Sequence, residues 1–213
     1  RWTDLPGVAQ DYLSYSEQLG VAQSGTSLES QFAIDTQAKA YALFSGNPEI
    51  SQWLSTEFLD IWKQLSSEEK SDSPDYHVSV LRKTFLEANR ALALSSPALA
   101  MAEGASGIFL LQVQDRMFCA NVGNALAVMC RDGKAMLVAC DHSTWNNAHE
   151  IWRIKTAGGF IDSEDGSVCS ALALSKSFGF ISHLPFSTAC PSICDWNIEH
   201  GRDDFVIIAS PNL

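Results

Sequence analysis

Four groupings of residues in this sequence have the types and spacing for chemistry. Asp141-His142 sets a carboxylate beside an imidazole, the make-up of a general base. Ser175-Lys176 sets a hydroxyl beside an amine that could activate it as a nucleophile. His149-Glu150 is a second acid–base pair. The six cysteines, Cys119, Cys130, Cys140, Cys169, Cys190 and Cys194, carry thiols that could bind zinc. Each has a plainer reading, which is preferred here. An Asp-His that follows a strand orders a turn. His149 and Glu150 fall on the solvated face of a short helix, and Ser175-Lys176 lies in a structural stretch. No C-x-x-C pair is present, Cys190 and Cys194 are separated by three residues across Pro191, and no histidine stands at finger spacing. Several of the cysteines sit in apolar runs, where thiols behave as small hydrophobes, which fits a reduced, intracellular chain.

The elements that must position such groups follow from hydrophobic periodicity. Residues 31–44 read as a strand ending in Ala40-Tyr41-Ala42-Leu43-Phe44, and Ser45-Gly46-Asn47-Pro48 breaks it. Ile50, Trp53, Leu54, Phe58, Ile61, Trp62 and Leu65 recur at helical spacing over 49–65, with Trp53 and Trp62 as core. Residues 66–75 are a polar loop. Val78, Leu81, Phe85, Ala88 and Leu92 mark a second helix, ended or interrupted at Ser95-Ser96-Pro97. Short apolar runs at 108–113, 117–122, 125–130 and 135–140 are separated by Gln-Asp-Arg, Gly-Asn and Arg-Asp-Gly-Lys, which is the turn chemistry of a meander. A short helix over 149–155 stops at Ala157-Gly158-Gly159, and Phe205–Ala209 reads as a last buried strand. Segregated helices and strands of this kind predict an α+β fold, a sandwich of antiparallel sheets with flanking helices.

Bulk properties bound the function. The chain has 213 residues, 46% of them hydrophobic, enough for one sizeable core. Its formal net charge of −11 repels phosphate backbones, so nucleic acid is not an expected partner. No apolar run approaches the roughly 20 residues that span a bilayer. Residues 1–213 are expected to be a single domain, a piece of a longer chain with its C-terminal part missing.

Several blocks, in order, resemble the metal-dependent (PPM-type) protein phosphatases. Ala120–Ala135, A-N-V-G-N-A-L-A-V-M-C-R-D-G-K-A, is similar to the family's A-N-V-G-D-S-R-A-V-L-x-R-D-G-K-A. Asp141-His142, Glu150–Ile154, Ala157–Ile161 and Leu172–Gly179 resemble its later D-H, E-x-x-R-I, A-G-G-x-V and L-A-V-S-R-A-F-G segments, and Phe205–Ser210 the strand before its closing D-G. The resemblance implies two antiparallel sheets packed face to face with helices outside. It also implies a pair of magnesium or manganese ions held by carboxylates, which would deprotonate a water at neutral pH.

The carboxylates are where this chain departs from the pattern. Ser45-Gly46 stands where the family has Asp-Gly, so the glycine is retained and the bridging carboxylate has become a hydroxyl. Ser30, in Leu28-Glu29-Ser30-Gln31-Phe32, falls where an upstream Asp would be, and Pro211-Asn212 replaces the last Asp-Gly. Residues 17–30 contain no Arg or Lys for the family's phosphate-binding arginine, and Asn124 and Leu126 replace its Asp and Arg. The expectation is a non-catalytic pseudophosphatase domain with no catalytic residue, no metal and no cofactor. It would be a regulatory or scaffolding module that meets a protein partner, a kinase or another signalling component, in the cytoplasm, membrane-peripheral only through its parent protein. The degenerate branches it resembles are the leucine-rich-repeat-associated ones, in fungal adenylate cyclases and the PH-domain leucine-rich-repeat phosphatases, and the scaffold that activates the TGF-β-activated kinase. The alternative is a weak, unconventional serine/threonine phosphatase that holds magnesium or manganese through Glu29, Asp35 and the Gly46 carbonyl.

Overall fold

In the computed structural model, residues 12–16, 38–68, 71, 73–144 and 147–210 are described. Strand β1 (Tyr12–Ser16) pairs antiparallel with β2 (Ala38–Gly46). Asn47 then starts helix α1 (Pro48–Glu68): its Oδ1 accepts hydrogen bonds from the backbone N–H groups of Glu49 (3.1 Å) and Ile50 (3.2 Å). Helix α2 (Pro74–Ser95) also opens on a proline, and Ser96 separates it from the short α3 (Pro97–Ala102). The expected loop at 66–75 is therefore shorter, because α1 runs on to Glu68 and α2 begins at Pro74.

A meander follows: β3 (Gly104–Val113), β4 (Arg116–Val122), β5 (Leu126–Arg131) and β6 (Lys134–Leu137). The β5–β6 turn places Asp132 and Gly133 at φ 52° and 68°, the left-handed pair of a type I′ turn. Helix α4 (Ala148–Thr156), the two-residue β7 (Phe178–Gly179), a 3₁₀ turn at Ile181–His183, β8 (Ser192–Asn197) and β9 (Asp203–Ala209) complete the described elements. One sheet runs β1-β2-β3-β4-β8, with β7 added against β3; the other runs β6-β5-β9.

The period of two along the strands divides the interior into two layers. Phe109, Leu111, Phe118, Ala120 and Val122 face α1 and α2, whose Ile50, Leu54, Phe58, Leu81, Phe85 and Ala88 meet them. The alternate residues Ile108, Leu110, Met117 and Cys119 face the second sheet, against Ala127 and Met129 of β5 and Val206 and Ile208 of β9. Strands buried on both faces explain why β3 and β4 read as continuous apolar runs. Trp62 is buried in the helix layer and Trp53 packs against it from the edge. The expected sandwich with flanking helices is the observed architecture.

The expected burial of the last strand needs correction. Val206 and Ile208 point inward, but Phe205 and Ile207 are 55% and 56% exposed, on the outer face of the second sheet. Their apolar type made the strand look wholly buried, whereas only one of its faces meets a second layer among the described residues. Strands β1, β7 and β8 and helix α3 were not anticipated from periodicity, and residues 31–37 of the expected first strand lie outside the described residues.

Candidate functional site

The site indicated by the sequence lies where β2 ends, β3 begins and β4 turns into β5. Ser45 is buried and pairs directly across the ladder from Ser106, while Gly46 pairs with Ala105. Ser106 Oγ donates to Asn124 Oδ1 at 3.1 Å and accepts from the Asn124 backbone N–H at 3.3 Å. Ser45, Ser106 and Asn124 therefore gather two hydroxyls and a carboxamide at this corner, all of them neutral. A magnesium or manganese pair needs hard, charged oxygen donors. The described donor set does not supply them. Among the described residues, no group of three or more His, Cys, Asp or Glu side chains is placed to hold a metal ion. Ser30 and Pro211, and with them Glu29, Asp35 and Asn212, lie outside the described residues.

Gly46 has a structural reason to persist. Its φ is +146°, and a Cβ there would stand 2.7 Å from both the Gly104 carbonyl oxygen and the Ala105 Cα. Gly123 is held the same way: φ is +83° and a Cβ would fall 2.0 Å from Ser106 Oγ. Retention of both glycines thus follows from close backbone approach, whether or not a metal is held.

Gly123 joins this corner to a second, larger polar cluster. Its carbonyl accepts from the His142 backbone N–H (3.2 Å) and lies 2.8 Å from His142 Nδ1. A carbonyl can only accept, so Nδ1 carries the proton and Nε2 is the acceptor. Nε2 lies 2.8 Å from Ser192 Oγ, which donates to it and in turn accepts from Lys176 Nζ at 3.1 Å. Lys176 Nζ stands 3.7 Å from Glu150 Oε1, and Arg153 donates to Glu150 Oε2 from both Nε (3.0 Å) and Nη2 (2.9 Å). Arg153 also donates to the carbonyls of Ser175, Pro185 and Phe186. Ser175 Oγ donates to the His142 carbonyl at 3.2 Å.

The electrostatics follow from burial. Desolvation, reinforced by the Lys176 ammonium, pulls His142 down to about 4, so its ring is neutral at ordinary pH. Burial alone would push the Glu150 carboxyl up; the hydrogen bonds from Arg153 and the nearby Lys176 charge outweigh it and hold Glu150 ionised. A fully buried, low-pKa imidazole is a poor base, and the serine beside it is bonded on both sides. The arrangement pins the chain segments that carry the motifs to one another rather than presenting a reactive group.

These positions revise the plain readings one by one. Asp141 does order a turn, its carboxylate accepting from the Ser143 backbone N–H and hydroxyl at 2.8 Å each. His142 does more, because it is fully buried and bridges Gly123, in the turn that follows β4, to Ser192 of β8. His149 is exposed, but Glu150 is 7% exposed, and the expected solvated face is corrected there: the α4 face that carries Ile154 and Glu150 turns inward. Ser175 and Lys176 serve the cluster separately. The six cysteines are free thiols. Ser106 and Ser192 were missed by sequence reasoning, since a lone serine in a strand carries no signal until the strand register is known.

A family model described as protein phosphatase 2C matches residues 16–213. The adenylate cyclase of Mycosarcoma maydis is 38% identical over 127 residues, which cover 56% of this chain and 5% of that protein. Protein phosphatase 2C homolog 3 of Schizosaccharomyces pombe is 27% identical over 191 residues, covering 85% of this chain and 44% of that one. The chain thus spans less than half the length of either relative. Among solved structures, a sex-determining protein of C. elegans superposes with a TM-score of 0.71 at 18% identity, over 94% of this chain and 51% of that one. The serine-threonine phosphatase 2C of Toxoplasma gondii gives 0.62 at 12% identity, over 80% and 67%.

Proposed function

The chain belongs to the protein phosphatase 2C family, and on that premise we propose that it is a non-catalytic member, a regulatory or scaffolding module of a larger signalling protein. The observation that supports this reading is the neutral corner of Ser45, Ser106 and Asn124, with Ser45 at the position where the resemblance to the family puts a metal-bridging carboxylate. The corner keeps the glycines that its backbone geometry requires, and among the described residues no cluster of His, Cys, Asp or Glu side chains is placed to hold a divalent cation. The adenylate cyclase match supports the modular part of the reading, because the matched segment is a small fraction of a long enzyme whose named activity is a different one. Function then resides in a folded surface offered to a protein partner, and no nucleic acid or resident cofactor is needed. Among the described residues no helix is long and apolar enough to cross a membrane.

The test is turnover. The purified protein is assayed on p-nitrophenyl phosphate and on phosphoserine and phosphothreonine peptides with millimolar manganese. Rates at the level of a no-protein blank are expected. Turnover that needs manganese and stops with chelator would establish the phosphatase instead.

A further inference from the structure

We propose that Cys119 of β4 and Cys194 of β8 are a modification site, forming a reversible disulfide by exchange with a low-molecular-weight disulfide of the glutathione class. The two residues are directly opposed in the antiparallel β4–β8 ladder. The Ile198 backbone N–H donates to the Asp115 carbonyl at 2.8 Å, which marks Asp115 and Ile198 as a hydrogen-bonded pair of the same register. Such pairs recur every second residue, so Met117 with Trp196 and Cys119 with Cys194 are hydrogen-bonded pairs as well. Their Cα atoms then lie about 5.5 Å apart, within the roughly 4.4–6.8 Å that a disulfide bridges. Opposed residues point to the same face, here the one toward the second sheet, where Cys119 belongs to the inter-sheet core. Both thiols are free.

Access differs between the two and sets the order of events. Cys194 is exposed and lines a cavity of about 300 Å³ between the end of β6 and the edge strand β8. Cys119 is 1% exposed, directly behind it. The Cys194 thiolate attacks one sulfur of the small disulfide, forming a mixed disulfide and releasing one thiolate. Cys119 then loses its proton to solvent and attacks the Cys194 sulfur, releasing the second small thiolate. Two protein thiols are oxidised and one small disulfide is reduced to two thiols, so electrons balance. Burial raises both thiols above the ordinary range, far more for Cys119, so exchange is slow at neutral pH and quickens as pH rises. The bond ties the edge strand to its neighbour two residues from Ser192, and so secures the contact that His142 makes there.

The experiment incubates the protein with oxidised glutathione at a pH of about 8.5, near the ordinary thiol value, followed by intact mass and non-reducing peptide mapping. Expected are a loss of two hydrogens, a linked Cys119–Cys194 peptide, and a raised thermal midpoint that dithiothreitol reverses. Cys140→Ser should leave all three unchanged, and Cys194→Ser should abolish them. Cys140 lines the same cavity, so a Cys140–Cys194 link overturns the proposal. A persistent mixed disulfide on Cys194 with Cys119 still free overturns it equally.

Discussion

Lowering the pH should unload the His142 node before the Glu150 carboxylate gives way. The folded protein holds this ring neutral with a value of about 4, against an ordinary histidine value of about 6.5. The unfolded chain therefore takes up the proton first, and stability falls as pH drops below about 6.5 until the folded ring also titrates near 4. The full gap of about 2.5 units corresponds to about 3 kcal/mol, of which about 2 kcal/mol is lost by pH 5. The part of that window above about pH 5 is clear of Glu150, whose lowered value places its own loss at lower pH. Urea unfolding followed by fluorescence at pH values between about 7 and 5 reads the slope directly. In His142→Gln the midpoint at neutral pH falls, because Gly123 and Ser192 lose their partner, and the slope in this window flattens. An equal slope in both proteins would refute the account of His142 as a buried neutral bridge. Titration of its ring protons by NMR near 6.5 would refute it independently.

Three further outcomes follow from the same geometry. Gly123→Ala should cost about 3–5 kcal/mol, from a left-handed backbone and a Cβ driven into Ser106; in a Ser106→Gly background about 2 kcal/mol of that should return, as measured by denaturant unfolding. Arg153→Met should destabilise by about 3 kcal/mol, because it strands three backbone carbonyls and leaves Lys176 as the one cation beside the buried Glu150; hydrogen exchange should speed up first in α4 and around residues 184–187. Phe205→Ser should change stability by less than about 1 kcal/mol, since the ring is already half exposed, while lowering the binding of a hydrophobic dye; a loss typical of a core phenylalanine would show that the outer face of the second sheet is covered in solution.

Much of the fold could be read from residue patterns, and the limits have physical causes. The α1 and α2 stripes were clear because one face of each helix meets the sheet. The Asp132-Gly133 turn was legible because only certain residues take two left-handed conformations in succession. β8 was not, because Ser192-Ile193-Cys194-Asp195-Trp196-Asn197 sits at a sheet edge with few buried positions and weak alternation. Glu150 was misread because a charged helix residue is normally solvated, and only the tertiary approach of Lys176 and the turn of α4 make its burial tolerable. At the corner site the sequence shows a serine at position 45, where the resemblance leads one to expect an aspartate. It could not show that Ser106 and Asn124 complete a neutral hydrogen-bonded set, since that depends on how β2, β3 and the β4–β5 turn meet.

The central proposal is that this phosphatase 2C family member holds no metal pair at the Ser45 corner. Calorimetric titration of the purified protein with manganese tests it most directly. The account predicts no saturable binding up to millimolar metal, in the protein as it stands and in Ser45→Ala alike. Saturable binding at micromolar manganese that Ser45→Ala leaves intact would contradict it, because carboxylates elsewhere in the chain would then be holding the ion.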